Sequence, residues 1–245
     1  MTIDFDFFDL QSTLFGGNSN KVHQMELMVD KEVKEAFIGK PINSFIEELD
    51  FWYKAVYEYV PVVVSIFGFM GNTNHTEITL EKEFNYSKYS LNPQKRSWAK
   101  EGKGVITNFK EFHNFIWPDP EKIDLSAYIQ SKKEIKNIGM IGVVPRLFVA
   151  VWMLMGYEQF SYALIDQPKL VEAIFNKVGE IQLRIFYKLS HEINIDAMWL
   201  GDDIAFGNGL MSSPIIFKNL LFPWYKEMGN ICKKKAYAFY ISFRW

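Results

Sequence analysis

The sequence predicts an α/β protein built on a parallel sheet, and three observations carry that prediction. From residue 138 onward, strand-like and helix-like segments alternate, the pattern of a parallel sheet joined by crossover helices. The strand-like segments Pro61–Phe67, Ile138–Val144, Ile195–Leu200 and Ala236–Phe243 are short, continuous and apolar, as strands covered on both faces are. The chain has 245 residues, 49% of them apolar, which is enough for one barrel-sized domain spanning 1–245 with a core of its own.

Taken in order, the first 20 residues end in Phe15-Gly16-Gly17-Asn18-Ser19-Asn20, a loose lead-in. Phe45, Ile46, Leu49, Trp52, Val56 and Tyr59 keep the 3.6 period and predict a helix over Ile42–Tyr59. A buried strand, Pro61–Phe67, follows and closes on Gly68. Alternation in His75–Phe84 suggests a hairpin, and Trp117-Pro118-Asp119-Pro120 is a hard break before a helix over Leu125–Ile135. Ile138–Val144 reads as a strand and Leu147–Leu164 as a helix. Pro168 fits the first position of a new helix, whose apolar stripe runs from Leu170 to Ile193. Ile195–Leu200 returns as a strand. Ser213-Pro214 then gives a cap and a first-position proline to a helix that runs toward Lys235, with a kink expected at Pro223. Ala236–Phe243 is the last strand.

Composition excludes several classes of function. A net charge of −2 leaves no electrostatic footprint for nucleic acid. The longest apolar run, Leu147–Met155, is far shorter than the roughly 20 residues of a membrane span, and the N-terminus lacks the order of a signal peptide, so a cytoplasmic protein is expected. One cysteine, Cys232, excludes a disulfide framework and a multi-cysteine zinc site. His23, His75, His113 and His191 show no ligand spacing and read as exposed or singly bonded, so no metal ligand is assigned. The matches to the glycosylation sequon at Asn74 and Asn85 read as chance.

In parallel α/β folds the chemistry lies at the C-terminal ends of the strands. Asp202-Asp203 is the one adjacent acid pair at such an end. These carboxylates could orient a substrate N–H, exchange protons or hold a cation, or they could simply form a turn or helix cap. Side chains alternate along a strand, so only one of the two is expected to point inward. Arg146, just past Ile138–Val144, could neutralise an acidic ligand or form a surface ion pair at a helix start. The aromatics Phe67, Trp199 and Phe206 lie at or near strand ends and would line a substrate cleft. Such aromatics also suit sugars, but no second carboxylate sits at a convincing strand end to pair for glycoside hydrolysis, apart from Glu77 and Glu81 in the irregular region.

The segment Leu200–Pro223 (LGDDIAFGNGLMSSPIIFKNLLFP) resembles the uroporphyrinogen decarboxylase superfamily. Asp202 matches the family's Asp, Asp203 its Ser, and Phe206-Gly207 lie near its Trp and Gly; Leu210, Ser213-Pro214, Phe217 and Pro223 keep the later spacing. Met155-Gly156-Tyr157-Glu158 and Asp166–Val171 look like a family loop and helix start. Glu26–Gly39 and Trp117–Leu125 look like the divergent branch that includes corrinoid-dependent methyltransferases. The resemblance implies a (β/α)8 TIM barrel with its cleft over the strand ends. It also implies a decarboxylase-like enzyme acting on a tetrapyrrole or small methylated substrate without a cofactor. The alternatives are a corrinoid-dependent methyltransferase-like protein, in which zinc and a corrinoid protein would take part, and an inactive remnant of either. A homodimer is one assembly the resemblance allows.

Two departures stand against decarboxylation. The family's N-terminal arginine-rich stretch corresponds to Met25–Val33, which has no arginine, and its Phe-x-Asp loop corresponds to Ile66–Gly71, which has no acid. A zinc site would require a later His/Cys loop, and Ala236–Phe243 corresponds to about the sixth strand. The resemblance therefore implies an incomplete barrel, prone to association.

Overall fold

The computed structural model describes residues 6–64, 79–84, 94–99 and 104–243. Helix α1 (Phe7–Leu14) leads into α2 (Lys31–Ile38), α3 (Phe45–Lys54) and strand β1 (Tyr59–Val63). A hairpin, β2 (Thr79–Phe84) and β3 (Gln94–Ala99), precedes two short helices, α4 (Phe109–Asn114) and α5 (Ser126–Ser131). Then come β4 (Gly139–Pro145), α6 (Leu147–Met155), α7 (Tyr157–Asp166) and α8 (Pro168–Glu192). The chain continues with β5 (Ala197–Asp202), the two-residue pair β6 (Ala205–Phe206) and β7 (Gly209–Leu210), α9 (Pro214–Ile216), α10 (Phe222–Lys235) and β8 (Ala238–Phe243).

Strands β1, β4, β5 and β8 form one parallel sheet in the order β1-β4-β5-β8. This is the α/β architecture the alternating segments predict. Among the described residues the sheet does not close into a barrel, and it holds four strands where six were expected. β1 is an edge, which accommodates Pro61, a residue with no N–H to give a second neighbour.

The strict alternation of side chains sorts the core onto two faces. Val62, Met140, Val144, Met198, Leu200, Phe239 and Ile241 face the layer of α6, α7, α8 and α10. Tyr59, Ile141, Val143, Ala197, Trp199 and Ala238 face the other way. There the chain's own lead-in covers them: Phe7 and Leu10 of α1 join that cluster, with Leu14, Met25 and Leu27 packed against it. Glycine permits the closest approach, since a Cβ on Gly139 would lie 2.1 Å from the Phe7 ring. The lead-in is pinned by polar contacts as well. The Tyr59 hydroxyl donates to the Glu26 carbonyl (2.7 Å) and accepts from its N–H (2.5 Å). His23 Nδ1 lies 2.5 Å from Glu58 Oε2, and Lys21 pairs with the same carboxylate. His23 is thus buried and bonded through both ring nitrogens, the second to Thr13, rather than exposed or singly bonded.

Several boundaries differ from the periodicity. The helix predicted to Tyr59 stops at Lys54, Val56 turns over at φ 63°, and Tyr59 opens β1. Val60 precedes Pro61 and is thereby pushed toward extended backbone, which blocks a helix from reaching it. The predicted helix Leu147–Leu164 is two helices, bent by 88° at Gly156, whose φ of 77° a side chain would strain. Near Pro223, where a kink is expected, the helix has a π-helical turn over Phe217–Leu221 that ends two residues before the proline, which cannot donate to an i−4 carbonyl. The predicted caps hold: Ser213 accepts from Ile215 N, and Pro168 opens α8. The hairpin suggested near His75–Phe84 is β2–β3, antiparallel with Thr79 opposite Ala99. His75, Glu77, Asn74 and Asn85 lie outside the described residues.

No single helix among the described residues is long and apolar enough to cross a membrane. Helix α6 is almost wholly apolar because eight of its nine residues are buried in the core.

Candidate active site at the strand ends

Strands β4 and β5 end side by side, and the rim is tied there by a hydrogen bond from the Arg146 N–H to the Gly201 carbonyl (2.6 Å). Arg146 leaves β4 in the left-handed region (φ 62°, ψ 68°) and occupies the N-cap position of α6. A non-glycine residue there costs about 1 kcal/mol or more and persists only where surroundings enforce it. The enforcement is visible, since the Arg146 carbonyl also accepts from Ala150 N (3.1 Å) and Gln182 Nε2 (3.4 Å). The Arg146 side chain is half-buried at the rim.

As a cap Arg146 cannot satisfy the first N–H groups of α6, and Asp202 does so from the neighbouring strand. Its Oδ2 accepts from Phe148 N (2.7 Å) and from the Tyr225 hydroxyl (2.6 Å). Its Oδ1 accepts from Val149 N (3.3 Å) and Asp203 N (3.0 Å). The parity of β5 explains the direction: Met198 and Leu200 face the helices, so Asp202 does too. Only 2% of Asp202 is exposed. Burial pushes its carboxyl up from 3.8 to about 6, while Tyr225 and the two helix N–H groups pull the other way. The Tyr225 hydroxyl is in turn held well above its usual range, by burial first and then by the adjacent carboxylate.

Of the two acids, Asp203 is therefore the one that remains near solvent. It is half-buried, and its side chain leaves the strand with parity opposite to that of Asp202. The other expected cleft residues separate. Trp199 does not line an open cleft: it is 5% exposed, packed in the second-face core, and donates Nε1–H to Ser242 Oγ (2.7 Å). A tryptophan on an interior position of a central strand is drawn into packing by its area. Phe206 sits on the β6–β7 pair, 50% exposed, its ring 6.0 Å from that of Tyr157. Tyr157 anchors this corner by donating to the Met211 carbonyl (2.8 Å). Phe67 and the loop after it lie outside the described residues.

Sequence reasoning missed Tyr225 and Gln182, which hold the rim from α10 and α8. A buried glutamine on an otherwise apolar helical stripe was the visible signal for Gln182; Tyr225 offers none, being one aromatic among many. Among the described residues no three His, Cys, Asp or Glu side chains converge in a way that could hold a metal ion, and Cys232 is buried within the helix layer. Arg146, Asp202 and Asp203 thus lie at the adjacent ends of β4 and β5, and Phe206 lies on the β6–β7 pair that follows.

No family model matches this chain, and no curated protein matches it by sequence. Among solved structures, a methyltransferase from Methanosarcina mazei is similar in fold, with a TM-score of 0.61 and 13% sequence identity. The match covers 98% of this chain and 69% of that one. At such an identity the likeness concerns the fold.

Proposed function

We propose that the protein is an enzyme of the methyl-transfer class. On this reading it acts on a small methylated molecule held over the ends of β4 and β5, in the cytoplasm, with a corrinoid protein as methyl partner. The observation that carries the reading is the fold likeness to a methyltransferase over nearly the whole chain. The strand-end rim is where such a fold keeps its chemistry. The likeness supports methyl transfer over decarboxylation, which has no support from the comparisons, and the lack of arginine in Met25–Val33 agrees with that choice.

Within this reading Asp203 exchanges a proton with the substrate and Arg146 holds an anionic group. Phe206 and Tyr157 shield the site from water. Asp202 is a positioning residue that fixes the first turn of α6 and, through its N–H contact, the backbone of Asp203. The described residues do not fit a zinc site, so no step passes through zinc.

The test runs the transfer in reverse, as demethylation of methylcobalamin followed by its visible spectrum, with small thiols as the acceptors that become the methylated molecule. Turnover is expected for the wild type. Asp203→Asn should slow it by about 100-fold, the usual contribution of a proton-transfer group. Arg146→Met should raise KM more than it lowers kcat. Turnover unchanged in Asp203→Asn, or none in the wild type with any acceptor, would overturn the proposal.

A further inference from the structure

A second polar constellation lies beside β1, which among the described residues pairs with β4 alone. There α2, α3 and residues 28–29 enclose a cleft of about 190 Å³ beside Pro61 and Val63. Val29, Phe45, Trp52 and Val63 contribute apolar wall beside the polar Lys34 and Glu48. Lys34 and Glu48 both line the cleft, their ammonium and carboxylate paired at 2.7 Å. Both side chains are largely withdrawn from water, at 11% and 20% exposed. The Trp52 indole N–H donates to the same oxygen, Glu48 Oε1 (3.0 Å), and the Lys34 ammonium lies 6.0 Å from the Trp52 ring centre.

This pair is poorly explained by stability. A shielded ion pair contributes little over apolar residues of the same size, because desolvation offsets the attraction. Here the pairing also leaves capacity unspent. Glu48 Oε1 takes both donors, while Oε2 has no hydrogen-bond partner among the described residues. The ammonium has three N–H groups and, among the described residues, a single carboxylate partner. One negative and one positive group therefore stand side by side at one small cleft.

We propose that this cleft binds a small zwitterion: an α-amino acid with an apolar side chain of about the size of leucine. Its carboxylate pairs with Lys34 and its ammonium with Glu48 Oε2, closing a ring of four alternating charges. The ammonium also gains from the face of Trp52. The side chain fills the space between Phe45, Val29 and Val63. A ligand with one charge lacks this match, since it leaves either the lysine or the glutamate unanswered in a shielded site. The inference does not rest on the methyl-transfer reading.

Calorimetric titration of the wild-type chain with L-leucine tests it, beside isovalerate and isoamylamine, which keep the side chain and one charge each. Saturable binding of leucine is expected, with each analogue at least about tenfold weaker, as expected for loss of a charge-assisted hydrogen bond. Lys34→Met and Glu48→Gln should each weaken leucine by a similar factor while keeping a cooperative melt. Asp203→Asn, which should slow methyl transfer, should leave leucine binding unchanged. No saturable binding by the wild type, or equal binding of leucine and either analogue, would overturn the inference. The wild-type ligand series decides the matter even if a variant fails to fold.

Discussion

Asp202 caps α6 from the neighbouring strand, a role that its sequence position left open between chemistry and a helix cap. Its place at a strand end, beside a second acid, was legible. Its direction was not, because one residue of register decides whether a strand side chain faces the helices or the opposite side. Register reaches Asp202 only through the pairing of β5 with its neighbours. Removing the carboxylate in Asp202→Ala should strand two helix N–H groups and a buried tyrosine hydroxyl. A loss of about 2–4 kcal/mol in urea-melt stability is expected. The raised carboxyl also sets a pH dependence. The folded state holds this proton up to about pH 6, the unfolded chain only to about 3.8, so the folded state binds more protons in that interval. This group's contribution to stability is therefore fully present below about pH 4 and is lost as pH rises through 6. The lost contribution is on the order of 3 kcal/mol. Asp202→Asn cannot ionise, so its stability relative to wild type should climb between pH 4 and pH 6.5. Parallel curves for the two proteins would mean that the carboxyl titrates normally.

Helix α6 is the element in which local and tertiary requirements meet. A helix this apolar cannot leave its ends to water, so its unpaired groups need partners from elsewhere in the chain. Asp202 serves the N-terminal end. At the other end the N–H groups of Val105 and Ile106 donate to the Leu154 carbonyl, and that of Gly104 donates to Met155. This backbone approach requires glycine: a Cβ on Gly104 would stand 2.0 Å from the Met155 carbonyl carbon. Gly104→Ala should lower stability by about 1–3 kcal/mol, the range for overpacking, with the melt followed by near-ultraviolet circular dichroism. The 3.6 period found α6, α7 and α8 because all three bury apolar stripes. It ran through Gly156 because Met155 and Tyr157 keep the same apolar rhythm on either side of the bend. The break at Gly156 comes from a backbone angle, and hydrophobicity carries no record of it.

At the scale of the whole molecule, the parallel order of the sheet was legible from the alternation of buried strands with long helices. The second layer was not. The first 20 residues read as a loose lead-in because they end in Gly16-Gly17-Asn18-Ser19-Asn20, yet Phe7 and Leu10, with Leu27 beyond them, cover the face of the sheet away from the helices. Coverage of this kind depends on contacts between distant parts of the chain, which no local window records. β8 has a single neighbour among the described residues, and Tyr240 on it is 39% exposed. Strand edges of this kind invite pairing between copies. The chain should therefore associate at high micromolar concentration, and Tyr240→Lys should raise the monomer fraction in sedimentation velocity. A wild type that stays monomeric throughout would contradict this.

The cap that Asp202 provides comes from a residue 54 positions downstream of Phe148. During synthesis the chain emerges from its N-terminus, so residues 147–155 reach the outside before their cap has been made. For that interval a nine-residue apolar segment has neither its terminal hydrogen bond nor the strand it packs behind. The order of the sequence thus creates a window in which chaperones would find this segment exposed. The window closes when β5 adds beside β4.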